Sequence, residues 1–423
     1  MSETVKLVTR REFMKQGLTL AAASATVPTF LARSLFAIQN PSHAAEVRYR
    51  PGVPEERVLV VIQLGGGNDG LNTVIPYRND IYYQLRPTLA IAKEEVLDLN
   101  GELGVHPGLS AFKELYETGR LAIIQGVGYP NPDRSHFRSM EIWQSGVVDG
   151  FETTGWIGRL FDHTCDNAHL NECSPTLGVS VGQTLNPAFR AEHGVGVAVA
   201  NPERLYRMTR LFAASHATGL EVPKDPERQE TTALDFLRRT AVNAQLSADR
   251  IRRSVRQVQT HTDYPQNPFA QGLKLMAGMI AGGLDTRVYY ISLSGFDTHA
   301  SQAGVHQRLL KMLSDSIAAF QKDLENLGQG ERVLGMVFSE FGRRVAENGS
   351  RGTDHGQAAP MFIFGKPVRA GFLGQHPSLE KLSDGDLQFG TDFRSVYASV
   401  LEDWLRVEAE AVLGSRFEKI AIV

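Results

Sequence analysis

The chain has only two cysteines among its 423 residues, Cys165 and Cys173. They lie close together in a polar stretch, Asp162–Pro175. Two cysteines at this spacing, without an adjacent histidine ligand pattern, do not make a zinc site. In an oxidising compartment they could form a short-loop disulfide, and the alternative is two unpaired thiols.

The sequence also lacks a strong net charge, a long apolar run and internal repeats. The formal net charge is −3, so a mildly acidic protein has no electrostatic reason to bind nucleic acid or anionic lipid. No apolar run reaches about 18 residues, so we expect no permanent membrane span. With 42% hydrophobic residues and 40 glycines, the chain can bury a large core and form many turns, as an α/β enzyme does.

The N-terminus reads as an export signal. Arg10 and Arg11 are adjacent and precede a mildly apolar stretch, Leu18–Ala32, and small residues at Ser42–Ala44 suit a cleavage site. This order predicts a twin-arginine signal peptide over residues 1–44, recognised by the twin-arginine export machinery. The mature protein would then be periplasmic or secreted. The alternative is an ordinary basic N-terminal helix.

Short β-branched runs, apolar at nearly every position, favour strands buried on both faces of a parallel sheet. They are Val58–Leu64, Leu121–Gln125, Val288–Leu293, Val333–Phe338 and Met361–Phe364. Apolar residues at spacings of three and four predict amphipathic helices over Gln302–Leu327 and Asp392–Arg406. Strands that alternate with helices indicate an α/β fold with a doubly wound, mostly parallel sheet flanked by helices.

The middle of the chain has a different composition. Residues 201–262 are charged and helix-forming, with Pro223 and Pro226 marking a break. We therefore predict a single α/β domain over residues 45–423 that carries a helical insertion at about 201–262.

A glycine-rich segment, Gly65–Gly70, follows the first predicted strand and contains Asp69. Its glycines satisfy the spacing of a dinucleotide-binding loop, but that fingerprint needs a helix to start at the third glycine. The β-like run Leu71–Pro76 follows instead. We favour the alternative, in which the glycines let Asp69 project at a strand end, where open α/β sheets bind ligands.

Further acidic and imidazole side chains occur beside later strands. Asp297 and His299 follow one strand, Glu340 follows the next, and Asp354 and His355 precede the last. Carboxylate and imidazole groups are good ligands for zinc-like metals. An isolated Asp-x-His pair would be an ordinary hydrogen-bonded loop, but several such clusters at strand ends predict a site for one or two metal ions.

The ordered motifs resemble a known bacterial family, that of the domain of unknown function 1501. They are the twin-arginine start, Gly65–Gly70, Arg134–Phe137, Gly295–His299, Ser339–Arg343, Thr353–Gly356 and Thr391–Arg394. The resemblance covers nearly the whole mature chain. The family is placed in the alkaline phosphatase and sulfatase superfamily, so the resemblance implies that fold and two metals at the strand ends.

The resemblance also implies roles for the predicted ligands. Asp297, His299 and His355 would form one metal site, and Asp69 with Glu340 would form the second. A competing alignment places Asp354 and His355 in the position of the superfamily's adjacent Asp-His pair. The metal would be a divalent ion such as zinc, calcium or manganese.

Ser135 is the candidate nucleophile. It precedes a helix-like segment, and a serine at a helix N-terminus beside a cation can be activated for attack. The alternative is that Ser135 only caps that helix. Arg134, His136 and Arg138 are candidates to bind an anionic substrate group, and Arg343 beside Glu340 is assigned the same role.

Two departures from the superfamily pattern bear on function. No Cys-x-Pro-x-Arg sulfatase signature occurs, and Phe341 stands where a metal-binding histidine is often found. The sequence therefore predicts a secreted metal-dependent hydrolase acting on a small or polymeric phosphate-type or related ester. The alternative is a non-catalytic secreted module that retains the fold as part of an assembly.

Overall fold

The structure is a computed structural model that describes residues 57–166, 174, 176–192, 196–216 and 233–423. The predicted signal peptide and Cys173 lie outside the described residues. Cys165 is buried and disulfide-bonded, as the disulfide alternative predicts for this residue.

The apolar runs of the sequence form strands. In chain order they are β1 (Val58–Gly65), β2 (Val74–Ile75), β3 (Leu97–Asp98), β4 (Gly104–Val105), β5 (Leu121–Gly128), β6 (Gly178–Ser180), β7 (Val197–Ala198), β8 (Val288–Ser294), β9 (Val333–Ser339), β10 (Ala359–Phe364), β11 (Gly371–Leu373), β12 (Leu382–Ser383), β13 (Asp386–Leu387) and β14 (Thr391–Asp392). A nine-stranded sheet has the order β11-β5-β10-β9-β1-β8-β6-β7, with β14 paired to β5. Two small sheets, β2-β4-β3 and β12-β13, lie outside it.

The large sheet is mostly parallel, as predicted, but β10 is not. It pairs antiparallel with both β5 and β9, whereas β1 pairs parallel with β8 and β9. The parallel assignment of the last predicted strand is therefore wrong. The reason is the connection: no helix separates β9 from β10, and without a crossover the chain can return only in the opposite direction.

Helices connect the strands and cover the sheet. Among the described residues they are α1 (Asp80–Leu85), α2 (Ser110–Glu117), α3 (His136–Ser145), α4 (Trp156–Asp166), α5 (Pro202–His216), α6 (Ala233–Gln257), α7 (Pro268–Ala281), α8 (Gln302–Asn326), α9 (Phe393–Ser399) and α10 (Ala409–Leu413). The predicted helix over 302–327 is confirmed as α8. The one over 392–406 begins as α9, capped by Asp392, and continues as a π-helix, Val400–Leu405.

Hydrophobic cores lie on both faces of the sheet. Along β1, Leu59 and Val61 face a core shared with α3, α4 and α9, while Val60 and Ile62 face a core shared with α2, α7 and α8. Burying each such aliphatic side chain contributes about 1.5–3 kcal/mol. A sheet that is apolar on both faces requires helices on both faces, so the doubly wound α/β fold is confirmed.

Two helices, α5 and α6, lie within the predicted insertion. Arg256 of α6 pairs with Glu203 of α5 at 2.7 Å, and the guanidinium of Arg252 lies 3.6 Å from the ring centroid of Tyr206. Pro223 and Pro226 lie outside the described residues, and the insertion boundaries stay a prediction. No helix within the described residues has both the length and the apolar character needed to cross a bilayer.

Candidate metal centre

The carboxyl edge of the large sheet gathers the predicted ligands. Beyond β8, Phe296 and Thr298 are buried, so the alternating Asp297 and His299 project together from the loop. Because β10 runs antiparallel, its beginning lies at this same edge, and His355 just before it pairs with Arg343 in a β-bridge. The reversed strand therefore places the late histidine beside the residues that follow β8 and β9.

Asp297 is the centre of the cluster. Its Oδ1 lies 3.0 Å from His299 Nε2 and 3.1 Å from His355 Nε2, and its Oδ2 lies 3.6 Å from His136 Nε2. The Nε2 atoms of His299 and His355 are 2.9 Å apart. Three imidazole nitrogens thus converge on one carboxylate.

In His299 and His355, the ring nitrogen that points away from Asp297 lies beside an oxygen atom. His355 Nδ1 lies 2.8 Å from the backbone oxygen of Arg134, and His299 Nδ1 lies 3.1 Å from Asp354 Oδ1. Since a carbonyl or carboxylate oxygen can only accept, each Nδ1 carries the hydrogen. In the neutral rings, Nε2 then presents a lone pair toward Asp297.

His136 follows the same pattern. Its Nδ1 donates to Glu340 Oε1 at 3.0 Å, which leaves Nε2 as a lone-pair donor facing Asp297. Glu340 is buried and also accepts from the backbone nitrogen of Gly66 at 2.7 Å and from the Ser339 hydroxyl at 3.2 Å. Glu340 thus contacts the cluster through the His136 ring, and its role as a direct metal ligand stays a prediction.

The donor set fits a cation. His136, Asp297 and His355 have ligand atoms that all lie within 4.8 Å of one another, and His299 Nε2 lies beside two of them. Tetrahedral zinc with bonds of about 2.0–2.1 Å separates its ligand atoms by about 3.3 Å. Histidines whose Nδ1–H groups are held by carboxylate or carbonyl oxygens are typical of metal sites.

The Asp297 carboxylate is held in its charged form. Partial burial raises its pKa, but the hydrogen bond from Arg343 and the positive charge of that guanidinium outweigh burial and lower the pKa to about 2. Arg343 Nη2 donates to Asp297 Oδ1 at 2.7 Å. The site therefore presents a negative ligand at neutral pH, as a metal cation requires.

Arg343 is buried beneath the cluster. Its guanidinium is fully buried and donates to Asp297 and to the backbone oxygens of Gly66, Gly67, Phe296 and Thr353. With its donors engaged in this way, Arg343 joins the loops around the cluster, and its predicted substrate-binding role stays a prediction.

The position of Gly66 shows why the segment Gly65–Gly70 contains glycine. Its φ is +120°, and a Cβ atom at this position would overlap the backbone nitrogen of Asp297. Only glycine tolerates both the conformation and the close approach. The segment therefore packs closely against the loop that carries Asp297. A short 3₁₀ turn, Gly70–Asn72, follows it instead of the α-helix that a dinucleotide site needs.

The sequence matches the family model described as "Protein of unknown function (DUF1501)" over residues 56–414. The chain belongs to this family. A comparison with curated protein sequences finds no match.

Solved structures similar to this DUF1501 chain have low sequence identity. A sulfatase from Pseudoalteromonas sp. is 10% identical, with 98% of this chain and 78% of the other covered and a TM-score of 0.36. The lipoteichoic acid synthase LtaP from Listeria monocytogenes is 8% identical, with 90% and 82% covered and a TM-score of 0.33. A protein in the alkaline phosphatase superfamily from Vibrio parahaemolyticus is 8% identical, with 77% and 63% covered and a TM-score of 0.28. These values are too low to support an argument about chemistry.

In the DUF1501 chain, the side chain of Asp69 forms hydrogen bonds to residues outside the histidine cluster. Its Oδ2 lies 2.6 Å from Arg86 Nη1 in an ion pair whose side chains are both fully buried. Oδ2 also accepts from Gln302, and Oδ1 accepts from the backbone of Asn72. Burial raises the pKa of Asp69, but Arg86 outweighs this and leaves the pKa below its usual value. Both oxygens of Asp69 thus have protein partners, and its place in a second metal site stays a prediction.

Asp354 and Arg134 also have structural partners. Asp354 Oδ1 accepts from Asn348 at 3.0 Å as well as from His299, so it orients that histidine. The Arg134 guanidinium pairs with Asp384 and Asp386, while its backbone oxygen receives His355. In this structure Arg134 therefore contacts the cluster through its backbone oxygen, and its predicted anion-binding role stays a prediction.

Ser135 occupies the N-cap position of α3 but makes no side-chain capping hydrogen bond. It is exposed and directly precedes His136. The capping alternative therefore lacks its defining contact, and the hydroxyl stays available at the edge of the cluster.

The sequence analysis did not predict a cavity of about 670 Å³ that has His136 in its wall. One face of α3 lines it through His136, Phe137, Met140, Glu141 and Gln144. The loop after β6 and the ends of β1 and β8 form the other walls. The spacing of these residues along α3 could have predicted that they share one face of the helix. The other walls come from segments far away in the sequence, so the cavity itself could not be predicted.

Proposed function

We propose that this protein binds one divalent transition-metal ion through Asp297, His299, His355 and His136, and that it hydrolyses a phosphate-type or related ester. The observation that carries the proposal is the convergence of three Nε2 lone pairs on one carboxylate. Among the described residues, a single group of this kind occurs, which supports one ion over two.

The ligand types favour zinc over calcium. Calcium takes six to eight oxygen ligands, whereas three of the four ligands proposed here are imidazole nitrogens. Zinc accepts a mixed imidazole and carboxylate set. When bound, such an ion polarises an ester oxygen and stabilises the charge that develops on it.

The protein residues hold this centre and supply the nucleophile. Glu340 and Asp354 fix the rings of His136 and His299, and Arg343 fixes Asp297. Ser135 is the proposed nucleophile because its hydroxyl is exposed, lacks a capping bond and precedes His136 at the N-terminus of α3. Its proton must pass to a neighbouring base before attack, since a free serine is a weak nucleophile.

The proposal is tested with the mature protein loaded with zinc or manganese. Hydrolysis of 4-nitrophenyl phosphate and 4-nitrophenyl sulfate is measured for the parent protein, Asp297→Ala, Ser135→Ala and the control His261→Ala, whose histidine is exposed. We expect Asp297→Ala to lose metal and turnover, and Ser135→Ala to lose turnover only. An active Ser135→Ala protein would refute the nucleophile, and metal binding without any turnover would favour a non-catalytic module.

We further propose that the protein acts in the periplasm or outside the cell after export by the twin-arginine machinery. Arg10, Arg11 and the apolar stretch that follows them support this proposal.

A further inference from the structure

The cavity beside the metal centre is built to hold more than the reacting group. Its volume of about 670 Å³ lies within the range of about 300–1,000 Å³ that is usual for small-molecule sites. His136 contributes to both the cavity wall and the ligand cluster. An ester group at the metal would therefore have the rest of its molecule inside this cavity.

Hydrogen-bonding groups without charge dominate the walls. Gln63, Gln144, Ser180, Gln183, Asn186 and Ser292 supply amides and hydroxyls. Such side chains both donate and accept. Gln63 already accepts from Tyr290, and Asn186 accepts from the backbone of Ala188. A ligand that carries hydroxyl groups can bond to the amides of Gln144 and Gln183, whereas a lipid chain would leave such groups without partners at a cost of about 1–3 kcal/mol each.

Gln144 is the most informative of these residues. The residue is only 8% exposed and lines the cavity, and its side-chain amide makes no hydrogen bond to the part of the chain that the structure describes. Buried polar side chains nearly always have a partner. The amide of Gln144 is therefore free to bond to a polar ligand in the cavity.

Phe137 places an exposed aromatic ring at the edge of the cavity. Phe137 lines the cavity, yet its side chain is 90% exposed, which is unusual for so large an apolar group. The C–H face of a sugar ring packs on such an aromatic face. The carboxylates of Glu141 and Glu152 and the guanidinium of Arg190 also line the cavity, so charges of both signs lie beside the uncharged groups.

We propose that this cavity binds a neutral carbohydrate, with one sugar stacked on Phe137 and its hydroxyl groups bonded to Gln144 and the facing amides. The orientation of a sugar ester toward Asp297 rests on the proposed hydrolysis, but the binding of the sugar does not.

Isothermal titration calorimetry on the zinc-loaded mature protein tests the proposal with maltotriose, cellotriose, laminaritriose and adenosine. We expect at least one trisaccharide to bind, and Phe137→Ala and Gln144→Ala each to weaken it at least tenfold. Gln183→Ala, at an exposed position on the opposite wall, gives a second readout if Gln144→Ala fails to fold. Phe151→Ala is the matched control, because Phe151 is 85% exposed but does not line the cavity.

The outcomes separate this inference from the proposed hydrolysis. Trisaccharide binding that depends on Phe137 supports the inference even if no ester is cleaved. Ester cleavage without trisaccharide binding, equal binding by the variants and the parent, or preferential binding of adenosine would each overturn it.

Discussion

The Nε2 atoms of His299 and His355 lie 2.9 Å apart although 56 residues separate them in the chain. Both face the same oxygen of Asp297, and both rings have their Nδ1–H groups held by an oxygen acceptor. Two lone pairs at this distance repel each other unless a proton or a cation lies between them.

Removal of either histidine should therefore abolish metal binding. We expect His299→Ala and His355→Ala to reduce the metal content from about one ion per chain toward zero, because each loses a ligand. Elemental analysis after equilibration with zinc measures this, with the exposed His261→Ala as the control. Equal metal contents in all four proteins would contradict the assigned centre.

Glu340 should act on the metal through His136. Replacement with glutamine removes the charged acceptor of the His136 Nδ1–H group. Loss of such a supporting hydrogen bond typically lowers metal affinity by about 10–100-fold. Competition with a chelator measures the dissociation constant. Glu331→Gln is the control, since that side chain is 72% exposed and pairs with Lys366, and an unchanged affinity in Glu340→Gln would argue against the orienting role.

The buried pair of Asp69 and Arg86 should matter for stability and not for the metal. Arg86→Met leaves the carboxylate of Asp69 buried and unpaired, which should lower the free energy of unfolding by about 3–5 kcal/mol. Urea unfolding measures this loss, and the exposed Arg416→Met should change stability by less than about 1 kcal/mol. If folded Arg86→Met or Asp69→Asn protein lost metal, Asp69 would belong to the metal centre after all.

Stability should fall as the pH drops from 6.5 to about 4. Burial lowers the pKa of His306 and of His106 to about 4, against the opposing effect of Asp69. The unfolded chain binds more protons than the folded one in this window, so acid favours unfolding by up to about 3 kcal/mol for each histidine. Above pH 6.5 both states are neutral at these residues, and the contribution is fully present.

Urea unfolding at pH 7.0, 5.5 and 4.5 in the presence of a chelator measures this dependence. His306→Gln keeps a donor for the Asn68 oxygen that His306 contacts but cannot titrate, so its stability should fall less steeply. His261→Gln should retain the slope of the parent. Identical slopes in all three proteins would show that His306 is not responsible.

Export should depend on Arg10 and Arg11. Replacing both with lysine keeps the charge but removes the twin-arginine motif, so unprocessed precursor should accumulate in the cytoplasm. Cell fractionation and immunoblotting measure its location and length. Normal export and trimming of the double variant would favour the ordinary basic helix.

The sequence by itself determined the α/β fold, because a strand that is apolar at nearly every position must be buried on both of its faces. It also placed Asp297, His299 and Glu340 after strands, and parallel strands end at one edge. The segments Val58–Gly65 and Val288–Ser294 differ from their predicted bounds by one residue at the carboxyl end.

Only the tertiary structure decided which charged groups meet. Asp69 and Glu340 look alike in sequence, yet one pairs with Arg86 and the other orients His136. His355 reaches the cluster because β10 runs antiparallel, a direction set by its connection to β9 and not by its composition. Periodicity reports whether a residue is buried, whereas its hydrogen-bond partners depend on contacts between segments far apart in the chain.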